Sequence, residues 1–69
     1  MTELVFEVTQ EADGGYCAEC LTKSIFTEGD TWEGLRANVR EAVGAFYFDG
    51  VGPERIRMQL LRDEVVPVA

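Results

Sequence analysis

From Glu3 the chain alternates, with Leu4, Phe6 and Val8 on one side and Glu3, Val5 and Glu7 on the other. A period of two with an acidic face predicts a half-buried strand. Glu11-Ala12-Asp13-Gly14-Gly15 follows, a cluster that tolerates turn dihedrals. Tyr16-Cys17-Ala18-Glu19-Cys20-Leu21 then reads as a second strand, so the two segments form a hairpin. Because Glu19 resists burial, the inward set on that strand is Tyr16, Ala18 and Cys20. After a polar break at Thr22-Lys23, Ser24-Ile25-Phe26-Thr27-Glu28 is rich in β-branched and aromatic residues and predicts a third strand, ended by Gly29.

The period then changes. Trp32, Leu35, Val39, Ala42, Val43 and Phe46 recur at helical spacing, with Glu33, Arg36, Arg40 and Glu41 largely off the stripe. Asp30 with Glu33 has the capping-box pattern, and Thr31 is an equally good cap. Gly34 and Gly44 each weaken a helix by about 1 kcal/mol relative to alanine, so the stripe must find a surface to pack on. Asp49-Gly50-Val51-Gly52-Pro53 stops the helix. Arg55 to Leu60 alternates again as a fourth strand, with Ile56, Met58 and Leu60 toward the helix and Arg55 and Arg57 opposite. The segment Val65-Val66-Pro67-Val68-Ala69 is apolar yet too short to cover itself.

The predicted order is β-β-β-α-β, an α+β fold: a small antiparallel-rich sheet with one helix on one face. We expect residues 1–69 to form a single domain, with no separate DNA-binding domain. A chain of this size buries only about 60% of the surface it exposes when unfolded, and small domains gain stability by oligomerising. The face away from the helix carries Val5, Cys17, Leu21, Leu61 and charged groups, which water or a second subunit can cover. We expect a homodimer or higher homo-oligomer, with its contact at Arg55, Arg57, Leu61, Val65 and Val66.

Charge narrows the partners. Thirteen acidic against six basic residues and no histidine leave a net charge of −7. Phosphate backbones repel such a surface, so direct nucleic-acid binding is not expected. An acidic surface suits a basic protein partner, or serves solubility alone. No apolar run approaches the roughly 20 residues of a membrane span, and the acidic start MTELVFEV is unlike a secretory leader. The expected compartment is the cytoplasm.

Catalytic chemistry finds little footing. Cys17-Ala-Glu-Cys20 is formally C-x-x-C, but in a strand positions three apart point to opposite faces, which prevents a shared metal or a disulfide. Glu3, Glu7 and Glu19 share the outer sheet face and could hold a divalent cation, although acids at alternate strand positions are also what a solvated face looks like. Without histidine the usual Ser-His and Cys-His arrangements are absent, and Gly14-Gly15 is a turn rather than a phosphate loop. No metal, cofactor or enzymatic activity is expected. Trp32 opens the helix stripe and is expected at the sheet edge. Arg55, Arg57 and Arg62 form a basic patch expected to pair with Glu54 and Asp63.

Three motifs in order carry a resemblance. Asp13-Gly14-Gly15-Tyr16-Cys17-Ala18-Glu19-Cys20, then Glu28-Gly29-Asp30-Thr31-Trp32-Glu33, then Leu35 and Asn38-Val39-Arg40-Glu41-Ala42-Val43 resemble the HicB-like antitoxin family in its UPF0150-type form, the N-terminal domain only. The resemblance spans about residues 4–48. It implies a truncated ribonuclease-H-like β-β-β-α-β fold and a role as the antidote half of a toxin–antitoxin pair. The implied partner is HicA, a small basic ribonuclease with a double-stranded-RNA-binding-like fold. The chain departs from the family in having no room for the DNA-binding domain after Pro53, and in carrying Leu21-Thr22-Lys23 where members often have a proline-rich stretch. Glu7, Asp13 and Glu19, as exposed acids, are the expected partner contacts. The alternatives are an orphan oligomeric interaction domain of the same fold with an unknown partner, and a metal-dependent enzyme built on the outer acids.

Overall fold

The computed structural model describes residues 3–62 and 65–68. Its elements are β1 (Glu3–Gln10), β2 (Tyr16–Cys20), β3 (Phe26–Gly29), α1 (Trp32–Phe46) and β4 (Arg55–Leu61). The strands form one sheet in the order β3-β2-β1-β4. β1 pairs antiparallel with β2, and β2 antiparallel with β3. β4 returns beside β1 in parallel, with Leu4 opposite Ile56 and Phe6 opposite Met58. The α+β fold and the element order are thus those the sequence predicts.

Alternation puts one face of the sheet under the helix. Leu4, Phe6 and Val8 of β1, Ala18 and Cys20 of β2, and Ile25 just before β3 are buried against Leu35, Val39 and Val43 of α1. Tyr16, as expected on the inward side, packs its ring edge-on to Trp32 with centroids 5.5 Å apart. Burying the leucine, isoleucine, valine and phenylalanine side chains among these stabilises the fold by roughly 1.5–3 kcal/mol each, which a 69-residue chain needs.

The helix is capped by Thr31, not Asp30: the Thr31 hydroxyl accepts from the Gly34 amide at 3.0 Å. Glu33 sits one position too early to close a capping box and instead lies in the first turn, where its charge suits the helix dipole.

Two apolar positions depart from the predicted pattern. Phe46 ends the stripe but is 46% exposed, with Tyr47 taking the inward place behind it. Leu60 does lie on the helix side, opposite the buried Val8, yet is 50% exposed. Both follow from where the helix rests. α1 lies closest to β3 and β2, so the β4 margin of the sheet is left only partly covered, with Ile56 and Met58 half-buried.

On the other face the register makes cross-strand rows. Gln59, Glu7, Glu19 and Phe26 form one row, and Leu61, Thr9, Cys17 and Glu28 the next. The arginines of β4 are tied across the ladder to β1. Arg55 Nε lies 3.3 Å and Arg57 Nε 3.2 Å from the Glu3 carboxylate, with a second Arg57 bond at 3.2 Å. Asp63, one of the acids expected to pair with these arginines, lies outside the described residues. Hydrogen bonds from Arg57, with the charges of Arg57 and Arg55, hold the Glu3 carboxyl below the usual carboxylate range against a partly opposing desolvation.

Candidate partner-binding surface

The three motifs meet at one end of the molecule. β1 and β2 are joined by a turn in which the Gly14 amide donates to the Glu11 carbonyl at 3.0 Å and the Glu11 amide to the Gly15 carbonyl at 2.6 Å. Gly14 has φ of +96°, a left-handed conformation that glycine adopts without steric cost. The Asp13 carboxylate accepts from the Gly15 amide at 3.0 Å, fixing the turn.

Beside the turn, β3 delivers Glu28 opposite Cys17 and Gly29 opposite Tyr16. Asn38, one helical face along, donates its amide to the Glu28 carbonyl at 2.8 Å and so fastens α1 to the end of β3. Gly29 allows that closeness, since a Cβ there would stand 2.7 Å from the Leu35 nitrogen. The glycines, Thr31 and Asn38 therefore act as architecture, holding the hairpin turn, strand end and helix start together.

What they enclose is a shallow concavity of about 320 Å³ lined by Glu11, Asp13, Glu28 and Asp30, with Tyr16, Cys17 and Asn38 between them. Among the described residues no lysine or arginine lines it. Its electrostatics register on Cys17, whose thiol donates to the Glu11 carboxylate at 3.1 Å. That hydrogen bond, followed by desolvation and by the charges of Glu11, Glu28 and Asp13, pushes the thiol up to about 11. Cys17 is consequently a protonated hydrogen-bond donor at neutral pH, not a nucleophile. Glu11→Gln should speed alkylation of Cys17 by iodoacetamide at pH 8 by about tenfold, because the thiolate fraction governs the rate. An unchanged rate, followed by mass spectrometry on the native protein, contradicts this account. Cys20 is buried on the opposite face and reports only unfolding.

Of the acids singled out from sequence, Asp13 belongs to this concavity. Glu7 and Glu19 lie directly opposite each other on the open face of the sheet. Glu3 is two rows away and is engaged by Arg55 and Arg57, so the structure does not bring Glu3, Glu7 and Glu19 together. Among the described residues no three acid or cysteine side chains are grouped to hold a metal ion. Sequence reasoning missed Glu11, Glu28 and Asp30. The available signal was that Glu28 and Asp30 flank Gly29 within the second motif and that Glu11 opens the acidic turn cluster ahead of the first. The oligomer contacts expected from sequence fall on the β4 edge (Arg55, Arg57 and Leu61) and on the exposed Val65 and Val66 beyond it.

A protein from Thermotoga maritima described as "UPF0150 protein" is 36% identical to this chain over 66 residues, covering 96% of the chain and 93% of the relative. The chain belongs to the UPF0150 family. No family profile matches it, and no solved structure matches it. The UPF0150 match runs almost end to end, so it takes in β4 as well as the hairpin, strand end and helix start that frame the acidic concavity. Among the described residues no helix of this UPF0150 chain is long and apolar enough to cross a membrane.

Proposed function

We propose that this chain is a HicB-type antitoxin module that masks a small basic ribonuclease of the HicA type. The observation that carries the reading is that Glu11, Asp13, Glu28 and Asp30 line one concavity with no lysine or arginine among its described lining residues. The Asp13 and Glu11 carboxylates are held by the Gly15 amide and the Cys17 thiol, so presenting them to lysine or arginine side chains costs little ordering. The overall charge of −7 steers a cationic partner toward the molecule, and Glu7 and Glu19 extend the acidic ground onto the sheet. Membership of UPF0150 and the three ordered motifs support the same reading. In it the chain is a cytoplasmic binding protein rather than an enzyme, needing no cofactor and making no direct contact with nucleic acid.

The test is to mix the purified chain with the basic product of a neighbouring reading frame, following complex formation and RNA cleavage. A complex that suppresses cleavage and weakens with added salt is expected. Glu28→Lys with Asp30→Lys should weaken it by about tenfold or more, whereas Glu41→Lys on the exposed side of α1 should not. Absence of a complex, or one indifferent to the concavity reversal, overturns the proposal and leaves an interaction domain with another partner.

A further inference from the structure

The margin of the sheet that α1 leaves open is an apolar groove of about 330 Å³, floored by Ile56 and Met58 of β4, walled by Val39 and Val43 of α1 and bordered by Pro53. Val39 and Val43 are buried and Ile56 and Met58 half-buried, so side chains packed into the core give the groove its shape. An apolar cavity of about 150 Å³ takes up a benzene-sized group, so this groove has room for a hydrocarbon chain of roughly eight to ten carbons.

Charge sets this groove apart from the rest of an acidic molecule. Three of the chain's six basic residues, Arg36, Arg40 and Arg55, line it, although the net charge is −7. Arg55 is held by Glu3 at 3.3 Å. Among the described residues Arg36 and Arg40 make no ion pair or side-chain hydrogen bond. Both are exposed on α1, four positions apart, so they share one face of the helix, where like charges repel. Glu54, the single acid among the described lining residues, already has a partner. An apolar floor thus lies beside two guanidinium groups that nothing described neutralises.

We propose that this groove binds a free aliphatic monocarboxylate of medium chain length. The carboxylate meets Arg36 and Arg40, and the hydrocarbon lies over Ile56 and Met58 between α1 and β4. Guanidinium groups take carboxylates through paired, charge-assisted hydrogen bonds, and an anion seated there also relieves the repulsion between the two arginines. At about 0.1 M salt, charges more than about 10 Å away are largely screened, so the arginines of the wall and not the net charge decide what the groove accepts. No residue lines both this groove and the acidic concavity. The site therefore goes beyond the antitoxin reading and does not depend on it.

Titration of the nitrogen-15-labelled full chain with sodium decanoate, followed by amide chemical shifts, tests this without any partner protein. The shifts should centre on Val39, Val43, Ile56 and Met58, with a dissociation constant below about 1 mM. Affinity should rise by about threefold per added methylene from hexanoate to decanoate. Octan-1-ol should bind about tenfold more weakly than octanoate, because it brings the chain without the charge. Arg36→Gln with Arg40→Gln, both at exposed positions, should keep the wild-type circular dichroism and weaken decanoate binding by about tenfold. Arg36→Lys with Arg40→Lys should restore most of it. Absence of binding, shifts centred elsewhere, an alcohol bound as tightly as the acid, or an affinity indifferent to loss of both arginines overturns the proposal. The third of these outcomes would mean a plain apolar surface of the kind a protein partner covers.

Discussion

Phe6→Ala should leave the protein largely unfolded at 25 °C. Phe6 is fully buried on β1, next to the middle of the sheet, with Cys20 opposite it on one side and Met58 on the other. It is the largest of the side chains removed completely from water. Truncation of a buried phenylalanine costs about 3–5 kcal/mol, part lost transfer energy and part cavity. Stabilities near 0.05–0.15 kcal/mol per residue give a chain of this length only roughly 3–10 kcal/mol in total. Urea titration followed by circular dichroism reads the loss directly. Phe6→Leu, which keeps most of the volume, should cost about 1 kcal/mol and remain folded. A Phe6→Ala variant within about 1 kcal/mol of wild type would mean that the helix does not close over β1 as described.

Gly29→Ala should be the second most damaging change, although it adds a single methyl group. The new Cβ would stand 2.7 Å from the nitrogen and 2.8 Å from the Cα of Leu35, both backbone atoms that no rotamer change can move aside. The first turn of α1 has to retreat from β3. That strains the Asn38 bond to the Glu28 carbonyl and opens the acidic concavity between Glu28 and Asp30. Overpacking of this kind costs roughly 1–3 kcal/mol. The backbone contact puts Gly29→Ala at the upper end. Gly44→Ala is the contrasting case, since nothing lies within 4 Å of a Cβ there. It should raise stability by about 0.5–1 kcal/mol through helix propensity alone. Equal melting temperatures for the two variants would refute the close helix–strand contact.

The local pattern encodes what is local. Leu4, Phe6 and Val8 alternate with Glu3, Val5 and Glu7, and the structure buries the first set against the helix. The strand reading of Cys17 and Cys20 likewise places the two thiols on opposite faces. The exposure of Leu60 and Phe46 was not legible, because a stripe fixes which side of a helix is apolar but not where on a sheet it rests. Nor does the alternation of β4 state which strand it joins or in which direction. The acids of the concavity escaped for a related reason. Glu11 and Glu28 are seventeen positions apart, and only the Cys17–Glu28 register brings them to one place. The motif residues Gly29 and Asn38 were legible as a pattern, yet their bracing role depends on a helix–strand distance that no single segment contains.

The parallel return of β4 also bears on how the protein comes into being. β1 is made first and receives its last neighbour from residues more than fifty positions later, as the Arg57–Glu3 pair records. Before β4 docks, the hairpin, β3 and α1 can assemble, but Leu4, Phe6 and Val8 still border an unfilled strand position. Until it docks, the partly folded chain presents β1 as an open edge able to pair with other such chains. The folding chain, rather than the finished protein, is where this fold is most exposed to misassembly.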